Sequence, residues 1–407
     1  MAVTPHTAIS NILTHVPQIK YEIVPLENAL GKIAAQDLFA QYYLPKFDNS
    51  AMDGYAVRFE EAGKCLRIVD TIFAGDNTDI VLKDDECVKI MTGAKIPENC
   101  TAIVPFEDAK LHGENQVILP QNIRQNQHIR YIGEDIQLGS CIVQRGQTIN
   151  FSKITLLASQ GVTHLKVYKK PKVVVFASGE ELKLHYEKIE SYQIYNSNTP
   201  TLIARCQEFN CEVDFIGQAQ DSVESLKTSI QNALGADLII TTGGVSVGEA
   251  DFTKEAFDAL GFETIFEGIL IKPGKPTIFG KINNTLILNL PGNPLACGLI
   301  FELFGTLLLQ KLKGSCEFYP NFIVGKMQET LNNKAGRITI IPGYFEGEYF
   351  SPSPKRSPGM VNVLNHCNSM IVLDENVTQL KKEKKVKILP INWAFFTHNL
   401  KDFLTYE

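Results

Sequence analysis

The chain lacks the features that mark several common classes of protein. Its nine cysteines are scattered, and no two are separated by two residues, which argues against a zinc or redox motif and favours buried thiols in a reducing compartment. The net charge is −6 and no long basic run is present, whereas nucleic-acid binders normally carry a positive surface. The most apolar run, residues 299–309, contains Glu302 and is too short to cross a membrane. We therefore expect a protein that binds neither nucleic acid nor membrane.

A secretion signal is also missing from residues 1–20, where no basic segment leads into an apolar core. The 407 residues are 44% hydrophobic and 21% charged, which is ordinary for globular proteins with full cores. A chain of this length favours two to four domains. We expect a soluble cytoplasmic protein with several domains.

The first 169 residues change pattern twice. Apolar residues at helical spacing predict a helix near the N-terminus, and a second helix is predicted at 26–37. Short alternating segments broken by glycine predict a mostly-β domain at 47–141. Residues 151–167 then predict a helix and a short strand. We expect a discontinuous helical domain, formed by 1–46 and 142–169, into which the mostly-β domain is inserted.

Alternating strands and helices follow. Four apolar runs predict buried parallel strands at 173–176, 211–216, 238–241 and 285–290, and helix-like segments at 199–208 and 222–234 lie between some of them. This order predicts a three-layer α/β domain at 170–315 with right-handed crossovers. Residues 316–407 alternate again with proline and glycine punctuation, which predicts a C-terminal β-barrel, with a sandwich as the alternative.

Acidic residues follow three of the four predicted strands. Ligands bind beyond the carboxyl ends of such strands, so Glu181, Asp221 and Asp251 are expected at one edge of the sheet. Carboxylates that converge with backbone amides suit Mg²⁺ and phosphate. Each also has a plainer interpretation, since the aspartates can cap helices and Glu181 can be a solvated acid in a first helical turn. The loop at 242–251 fits neither a P-loop nor a dinucleotide fingerprint.

A basic turn complements these acids. In Lys272-Pro273-Gly274-Lys275-Pro276 the prolines restrict the backbone that carries two ammonium groups. Two fixed cations suit a small oxyanion or a phosphate. The alternative is a surface hairpin whose lysines contact only water.

The mostly-β region begins with a polar stretch at 48–58 that includes Asp53 and Gly54. Asx and Ser side chains favour tight turns, so a structural turn is one interpretation. Glycine also permits close approach by a ligand or another chain. The same two interpretations apply to Thr92-Gly93-Ala94 and to Gly133-Glu134-Asp135.

In these motifs and their order, the sequence resembles the MoeA family of molybdopterin molybdenumtransferases, which includes the E domain of gephyrin. The resemblance covers nearly the whole chain and is carried by residues 48–58, 91–94, 133–136, 178–182, 242–253, 271–276 and 290–294. It implies an α/β domain of the MogA/MoaB type within a four-domain homodimer whose cleft draws on both subunits. It also implies that adenylated molybdopterin and molybdate react there with Mg²⁺ to give molybdenum cofactor and AMP, and the molybdopterin adenylyltransferase becomes an expected partner.

The resemblance also assigns roles to residues. Glu181, Asp221 and Asp251 are expected to hold Mg²⁺. The matched catalytic positions are Asp53, Thr92, Asp135, Glu181, Asp221 and Asp251. The matched substrate-binding positions are Gly243, Gly244, Ser246, Gly248, Lys272, Lys275, Pro291, Pro294 and Arg337.

The sequence departs from the family pattern at three places. Arg356-Ser357-Pro358 stands where Gln-Gly-Ser is usual, Glu180 replaces a commoner Asp, and Asn196 replaces an acid in an Asp-Ser-Asn pattern. Two other functions are alternatives. One is a nucleotide pyrophosphatase or deamidase that uses the same α/β domain, and the other is a non-enzymatic scaffold or binding protein.

Overall fold

The computed structural model describes residues 2–17, 19–77, 79–219, 222–243 and 252–392. Contacts divide the chain into two compact units. We call Met1–Ala35, Gly146–Asn150 and His164–Glu407 the large unit, and Gln36–Arg145 with Phe151–Thr163 the small unit.

The helices and strands have the following bounds. The helices are α1 Pro5–His15, α2 Phe151–Ser159, α3 Asn198–Glu208, α4 Val223–Ala233, α5 Phe252–Ala259, α6 Pro294–Ile300 and α7 Thr306–Leu312, with a π-helical turn Phe301–Gly305 between the last two and 3₁₀ turns at Leu26–Asn28, Phe59–Glu61, Phe106–Asp108 and Leu364–His366. The strands are β1 Tyr21–Pro25, β2 Leu38–Phe39, β3 Asn49–Ser50, β4 Gly54–Val57, β5 Cys65–Ile72, β6 Glu86–Ile90, β7 Ala102–Pro105, β8 Lys110–Leu111, β9 Gln116–Ile118, β10 Ile129–Arg130, β11 Cys141–Val143, β12 His164–Tyr168, β13 Lys172–Ser178, β14 Leu182–Lys183, β15 Ile194–Tyr195, β16 Glu212–Ala219, β17 Leu238–Thr242, β18 Glu263–Glu267, β19 Ile271–Lys272, β20 Ile278–Ile282, β21 Thr285–Leu290, β22 Ile323–Met327, β23 Leu331–Asn332, β24 Ile338–Glu346, β25 Tyr349–Pro352, β26 Ser369–Leu373, β27 Gln379–Leu380 and β28 Lys385–Pro390.

The small unit is built on a six-stranded sheet in the order β7-β4-β6-β5-β9-β8. Strands β4 and β7 are buried on both faces, so neighbouring residues enter different cores: Tyr55 and Val57 pack in one, and Ala56 packs in the other. The predicted mostly-β region is confirmed.

The helix predicted at 26–37 is wrong. Only a 3₁₀ turn, Leu26–Asn28, forms there. Gly31 has a φ of +73°, which a helix does not accommodate. Ile33 then accepts a hydrogen bond from Tyr168, and Ala34 donates one to Gln147. Tertiary pairing therefore overrides the local helical spacing of the apolar residues. The helix and strand predicted at 151–167 do form, and that strand, β12, pairs with β1.

The predicted α/β domain forms the centre of the large unit. Its sheet has the order β16-β13-β17-β21-β20-β18, in which the first four strands are parallel and the last two are antiparallel to their neighbours. These four parallel strands are the four apolar runs predicted from the sequence. Helices α1, α3, α6 and α7 pack on one face, and α4 and α5 on the other. The chain moves from β13 to β16 on one side and then to β17 on the other, so the strand order reverses between β13 and β17.

The continuous helical segment from α6 to α7 is the main apolar element of this domain. The helical segment Pro294–Leu312 is 19 residues long. It is therefore longer than the apolar run at 299–309, which by itself is too short to cross a membrane. In the described part of the chain it is apolar enough to cross a membrane, but 83% of that window is buried inside the protein. It packs in the same core as Val175 and Ile240, as a core helix does.

The C-terminal part of the large unit is a barrel. Strands β24, β25, β22, β28 and β26 pair in turn, and β26 pairs back with β24 to close the ring. Met327, Phe350 and Ile388 fill its interior. The predicted fold class is thus confirmed, including the barrel rather than a sandwich.

Candidate active site

A cleft of about 650 Å³ lies at the carboxyl ends of β13, β17 and β21. This is the edge at which an open parallel sheet binds ligands, next to the reversal in strand order. Among the predicted residues, the cleft brings together Glu181, Gly243, Pro291 and Pro294. The other lining residues are Ser178, Leu182, Ile194, Tyr195, Asn196, Ser197, Asn198, Thr242, Pro276, Gly292, Asn293, Gly359 and Val361.

Gly243 allows two strand ends to meet at the floor of the cleft. Its φ is +92°, and a Cβ atom there would lie 2.5 Å from the backbone oxygen of Ser178. No other residue type fits such a contact without movement of the backbone. The predicted positions Asp221, Gly244, Ser246, Gly248 and Asp251 lie outside the described residues.

Glu181 is exposed at the end of a tight turn. The turn is closed by a hydrogen bond from the Leu182 N–H to the Gly179 carbonyl, and the Ile194 N–H donates to the Glu181 carbonyl at 2.9 Å. Its carboxylate makes no ion pair with any described residue. In the same part of the chain, no group of three or more His, Cys, Asp and Glu side chains is placed to hold a metal.

The Pro291–Pro294 segment begins the buried helix at the cleft wall. Asn293 occupies the N-cap position and Pro294 the first helical position, where proline is favoured. Two amides of the first turn, those of Leu295 and Ala296, donate to the Pro358 carbonyl at 2.9 and 3.3 Å. The unusual Arg356-Ser357-Pro358 segment therefore satisfies helix amides that would otherwise be available to an anion.

The Lys272–Pro276 turn has a fixed backbone and exposed lysine side chains. The Thr277 hydroxyl donates to the Gly274 carbonyl at 2.7 Å, and the Lys275 carbonyl accepts from two amides. Neither lysine forms an ion pair with a described residue, and Pro276 lines the cleft. The turn therefore carries two exposed lysines that form no ion pair with a described residue, and it reaches the cleft through Pro276.

Arg337 approaches this turn through its backbone. Lys272 in β19 pairs with Thr339 in β24, two residues beyond Arg337. The Thr339 hydroxyl donates to the Arg337 carbonyl at 3.0 Å, which fixes the chain there. The backbone pairing therefore links the predicted arginine to the predicted lysine turn.

Asp53 and Thr92 form a separate pair in the small unit. The Thr92 N–H and hydroxyl both donate to one Asp53 carboxylate oxygen, at 2.7 and 2.8 Å. The backbone hydrogen bond and then the hydroxyl hold the pKa of Asp53 below its usual value. The structure thus supports a carboxylate that stays ionised on an exposed surface.

The three polar motifs of the small unit are neighbours. Gly93 donates to Ser50, Ala51 donates to the His128 carbonyl, and the Asp48 carboxylate accepts from Ile132. Asp135 follows in the same loop with an exposed side chain. The stretch at 48–58 therefore lies between the other two motifs.

Sequence reasoning did not select Tyr195 or Asn198 for the cleft. Asn198 donates to the Gly292 carbonyl at 2.8 Å and so joins the start of α3 to the start of α6. Asn196 was noted only as a departure, but its buried side chain bonds both the amide and the hydroxyl of Thr199. The polar run 196–198 directly before a helix was the available signal.

Comparisons with known proteins identify relatives over nearly the whole chain. Residues 3–161 match the family described as "MoeA N-terminal region (domain I and II)", and residues 174–311 match "Probable molybdopterin binding domain". The molybdopterin molybdenumtransferase of Haemophilus influenzae is 33% identical over 395 residues, which cover 95% of this chain and 98% of that protein. That of Staphylococcus epidermidis is 30% identical and covers 94% of each chain. The crystal structure of a molybdopterin biosynthesis MoeA protein from Pyrococcus horikosii superposes with a TM-score of 0.82 at 30% identity, over 97% of this chain and all of that one.

The α/β domain therefore belongs to the class described as a probable molybdopterin binding domain. Because full-length relatives match at 30% identity or more, the chain belongs to the MoeA family of molybdopterin molybdenumtransferases.

Proposed function

We propose that the chain transfers molybdenum from molybdate to adenylated molybdopterin and releases AMP, as an enzyme of molybdenum cofactor synthesis. The observation that carries the proposal is the cleft of about 650 Å³ between the strand ends and the Lys272–Pro276 turn. The cleft is lined by the Glu181 carboxylate and by Gly243 at a strand end, and the turn that provides Pro276 also carries two exposed lysines. Those groups suit a substrate with a phosphoanhydride and a small oxyanion as co-substrate.

Mg²⁺ is part of the proposal, held by Glu181 together with Asp221 and Asp251. Glu181 fits this role because its carboxylate is exposed at the cleft and unpaired within the described part of the chain, and Mg²⁺ prefers oxygen ligands. Mg²⁺ commonly uses one or two carboxylates and completes its shell with water and substrate phosphates. When bound, it neutralises charge on phosphate oxygens.

Different residues of the chain are proposed to have different roles in the reaction. Water adds to phosphorus, the anhydride P–O bond breaks, and AMP leaves with the bridging oxygen. Lys272 and Lys275 hold molybdate by charge near the reacting pterin, with Arg337 beside them. Gly243, Gly244, Ser246, Gly248, Pro291 and Pro294 are proposed to bind the substrate, and of these Gly243, Pro291 and Pro294 line the cleft.

The active unit is proposed to be a homodimer in which Asp53, Thr92 and Asp135 act in the partner subunit's cleft. Exposed apolar side chains in the same group of motifs support an interface there: Met52, next to Asp53 in the sequence, is 37% exposed, and Ile132, whose N–H donates to Asp48, is 46% exposed. The four domains are proposed at 1–46 with 142–169, 47–141, 170–315 and 316–407.

The proposal also includes a cytoplasmic location and contact with the molybdopterin adenylyltransferase, which would supply the substrate. All nine cysteines lie in the described part of the chain, and each is a free thiol. Free thiols are typical of a reducing compartment, which supports the location.

The deciding experiment supplies adenylated molybdopterin, Mg²⁺ and molybdate, and measures AMP and active cofactor. We expect AMP release that depends on molybdate. Release at the same rate without molybdate would instead favour a pyrophosphatase, and binding without any release would favour a scaffold.

A further inference from the structure

The turn that carries Glu181 is held from a neighbouring strand by one side chain. The Gln218 Nε2 donates to the Gly179 carbonyl at 2.6 Å and to the Leu182 carbonyl at 2.9 Å. Both partners are acceptors only, so the amide nitrogen must be the atom that faces the turn. The two carbonyls stand on either side of Glu181 in the sequence. A single amide therefore fixes both sides of that residue.

A β-bulge gives Gln218 this direction. Between β13 and β16 the register runs through Val175 opposite Phe215, then shifts by one residue so that Ala177 lies opposite Gln218. Side chains alternate along a strand, so a shift of one residue reverses the face on which each later residue lies. Without the bulge, Gln218 would pair with Ser178 and face α4 and α5.

Ala219, the residue after Gln218, shows that the bulge changes which side chain faces α4 and α5. Ala219 takes the place opposite Ser178 and packs in the core beneath α4 and α5. A small apolar residue thus fills the core position, and the amide is directed to the turn. Bulges are common next to active sites, where they redirect side chains.

The Glu181 carboxylate has little else to orient it. It is exposed, and no described residue forms an ion pair with it. It lies over Gly179, where a Cβ atom would be 2.8 Å from the nearer carboxylate oxygen. The direction of the carboxylate therefore follows the backbone of the turn, which the Gln218 amide fixes.

We propose that Gln218 is a positioning residue, which holds the Gly179–Leu182 turn so that the Glu181 carboxylate points into the cleft. The inference rests on the proposed function for the role of Glu181. It adds a residue that neither the sequence motifs nor the matched family positions select.

The test is a double-mutant cycle with Gln218→Met and Glu181→Gln. Methionine keeps the length of the side chain but removes both donated hydrogen bonds. In the otherwise unchanged protein we expect the Mg²⁺ concentration for half-maximal AMP release to rise roughly tenfold. In the Glu181→Gln background the same substitution should have no further effect, because the group it positions is gone. Gln207→Met on the exposed face of α3 is the matched control. It should leave the Mg²⁺ concentration for half-maximal AMP release unchanged in both backgrounds.

Two further measurements test the role of Gln218 without relying on catalytic activity. Amide hydrogen exchange across residues 179–195 should accelerate at least about tenfold in Gln218→Met, because the turn loses two of its hydrogen bonds. Mn²⁺ binding followed by the electron paramagnetic resonance of the free ion should weaken by a similar factor. If Gln218→Met does not fold, Gln218→Asn serves instead, since its shorter side chain cannot reach both carbonyls.

The outcomes separate the two proposals. If the unmodified protein shows no molybdate-dependent AMP release, the proposed function fails, and the exchange measurement still tests whether Gln218 fixes the turn. If AMP release occurs but Gln218→Met leaves the Mg²⁺ dependence unchanged, the inference is overturned. Equal losses in both backgrounds also overturn it, because they assign Gln218 a purely structural role.

Discussion

Replacing Gly243 by alanine tests whether the contact between two strand ends shapes the cleft. The Cβ atom would lie 2.5 Å from the Ser178 oxygen, whereas real Cβ atoms essentially never approach within 3.0 Å. The strand ends must therefore separate by about 0.5 Å. The oxygen belongs to the backbone of the buried strand β13, and the Gly243 Cα directly follows β17, so neither can rotate away as a side chain would.

The expected loss of stability in Gly243→Ala has two contributions, and a substitution at a second glycine distinguishes them. Gly235 also has a positive φ, +99°, but nothing lies within 4 Å of its Cβ position. Gly235→Ala should therefore cost only the backbone strain, about 1–3 kcal/mol. Gly243→Ala carries a similar strain and adds the cost of overpacking, about 1–3 kcal/mol more. We expect a total of roughly 2–6 kcal/mol for Gly243→Ala.

The assay compares thermal unfolding and AMP release of the two variants. Each kcal/mol should lower the Tm of a domain of this size by roughly 2–4 °C. AMP release should fall at least about tenfold in Gly243→Ala, because reacting groups held by the two strands move apart, and stay near normal in Gly235→Ala at a temperature where both are folded. Equal loss of stability with full activity in both variants would refute the role of the contact.

Three other predictions concern the remaining candidate residues. Replacing Lys272 and Lys275 together by alanine should raise the molybdate concentration for half-maximal AMP release, with binding of the adenylated pterin less affected; unchanged kinetics would favour a surface hairpin. Thr92→Val removes one hydrogen bond to Asp53, so the Asp53 pKa should rise toward its usual value. The acid limb of the pH profile of kcat/KM should then move to higher pH, and an unchanged limb would show that Asp53 has no part in catalysis. Subunits with Asp53→Ala and subunits with Asp251→Ala should regain activity when mixed, because each heterodimer has one intact cleft; verified heterodimers without activity would exclude action across the interface.

The α/β domain was predictable because its strands are buried on both faces. The run at 285–290 has the same bounds as β21, and the other parallel strands differ by a few residues. The largest error is at β16, which continues to Ala219 beyond the predicted end at residue 216. An edge strand with half-exposed residues and a bulge loses the continuous apolar signal, so the residues around Gln218 were not recognised as part of a strand.

Only those cleft residues that directly follow a strand could be predicted from the sequence. Glu181, Gly243 and Pro291 follow predicted strands, and parallel strands place their carboxyl ends at one edge. Residues that enter the cleft through tertiary contacts left no periodic signal. Gly359 and Val361 come from a loop of the C-terminal part, and Pro358 reaches the helix amides through its backbone carbonyl. A carbonyl contact is independent of side-chain type, so composition and motif cannot indicate it.

The amide at Asn196 shows how a departure from the family pattern can leave the geometry intact. Asn196 is 3% exposed; its oxygen accepts from the Thr199 N–H at 3.1 Å, and its nitrogen contacts the Thr199 hydroxyl at 2.6 Å. Aspartate could accept both hydrogen bonds, because the threonine hydroxyl can rotate to donate. We therefore expect Asn196→Asp to keep both the Tm and AMP release.

Alanine at the same position should behave differently. Asn196→Ala removes the acceptor for an amide in the first turn of α3, which should cost about 0.5–2 kcal/mol. It also leaves the buried Thr199 hydroxyl without this partner, at a further cost of about 1–3 kcal/mol. Thermal unfolding of the two variants side by side is the measurement. If Asn196→Asp were as unstable as Asn196→Ala, the position would require a neutral amide rather than an acceptor. The replacement of an acid at 196 would then have altered the cleft wall instead of preserving it.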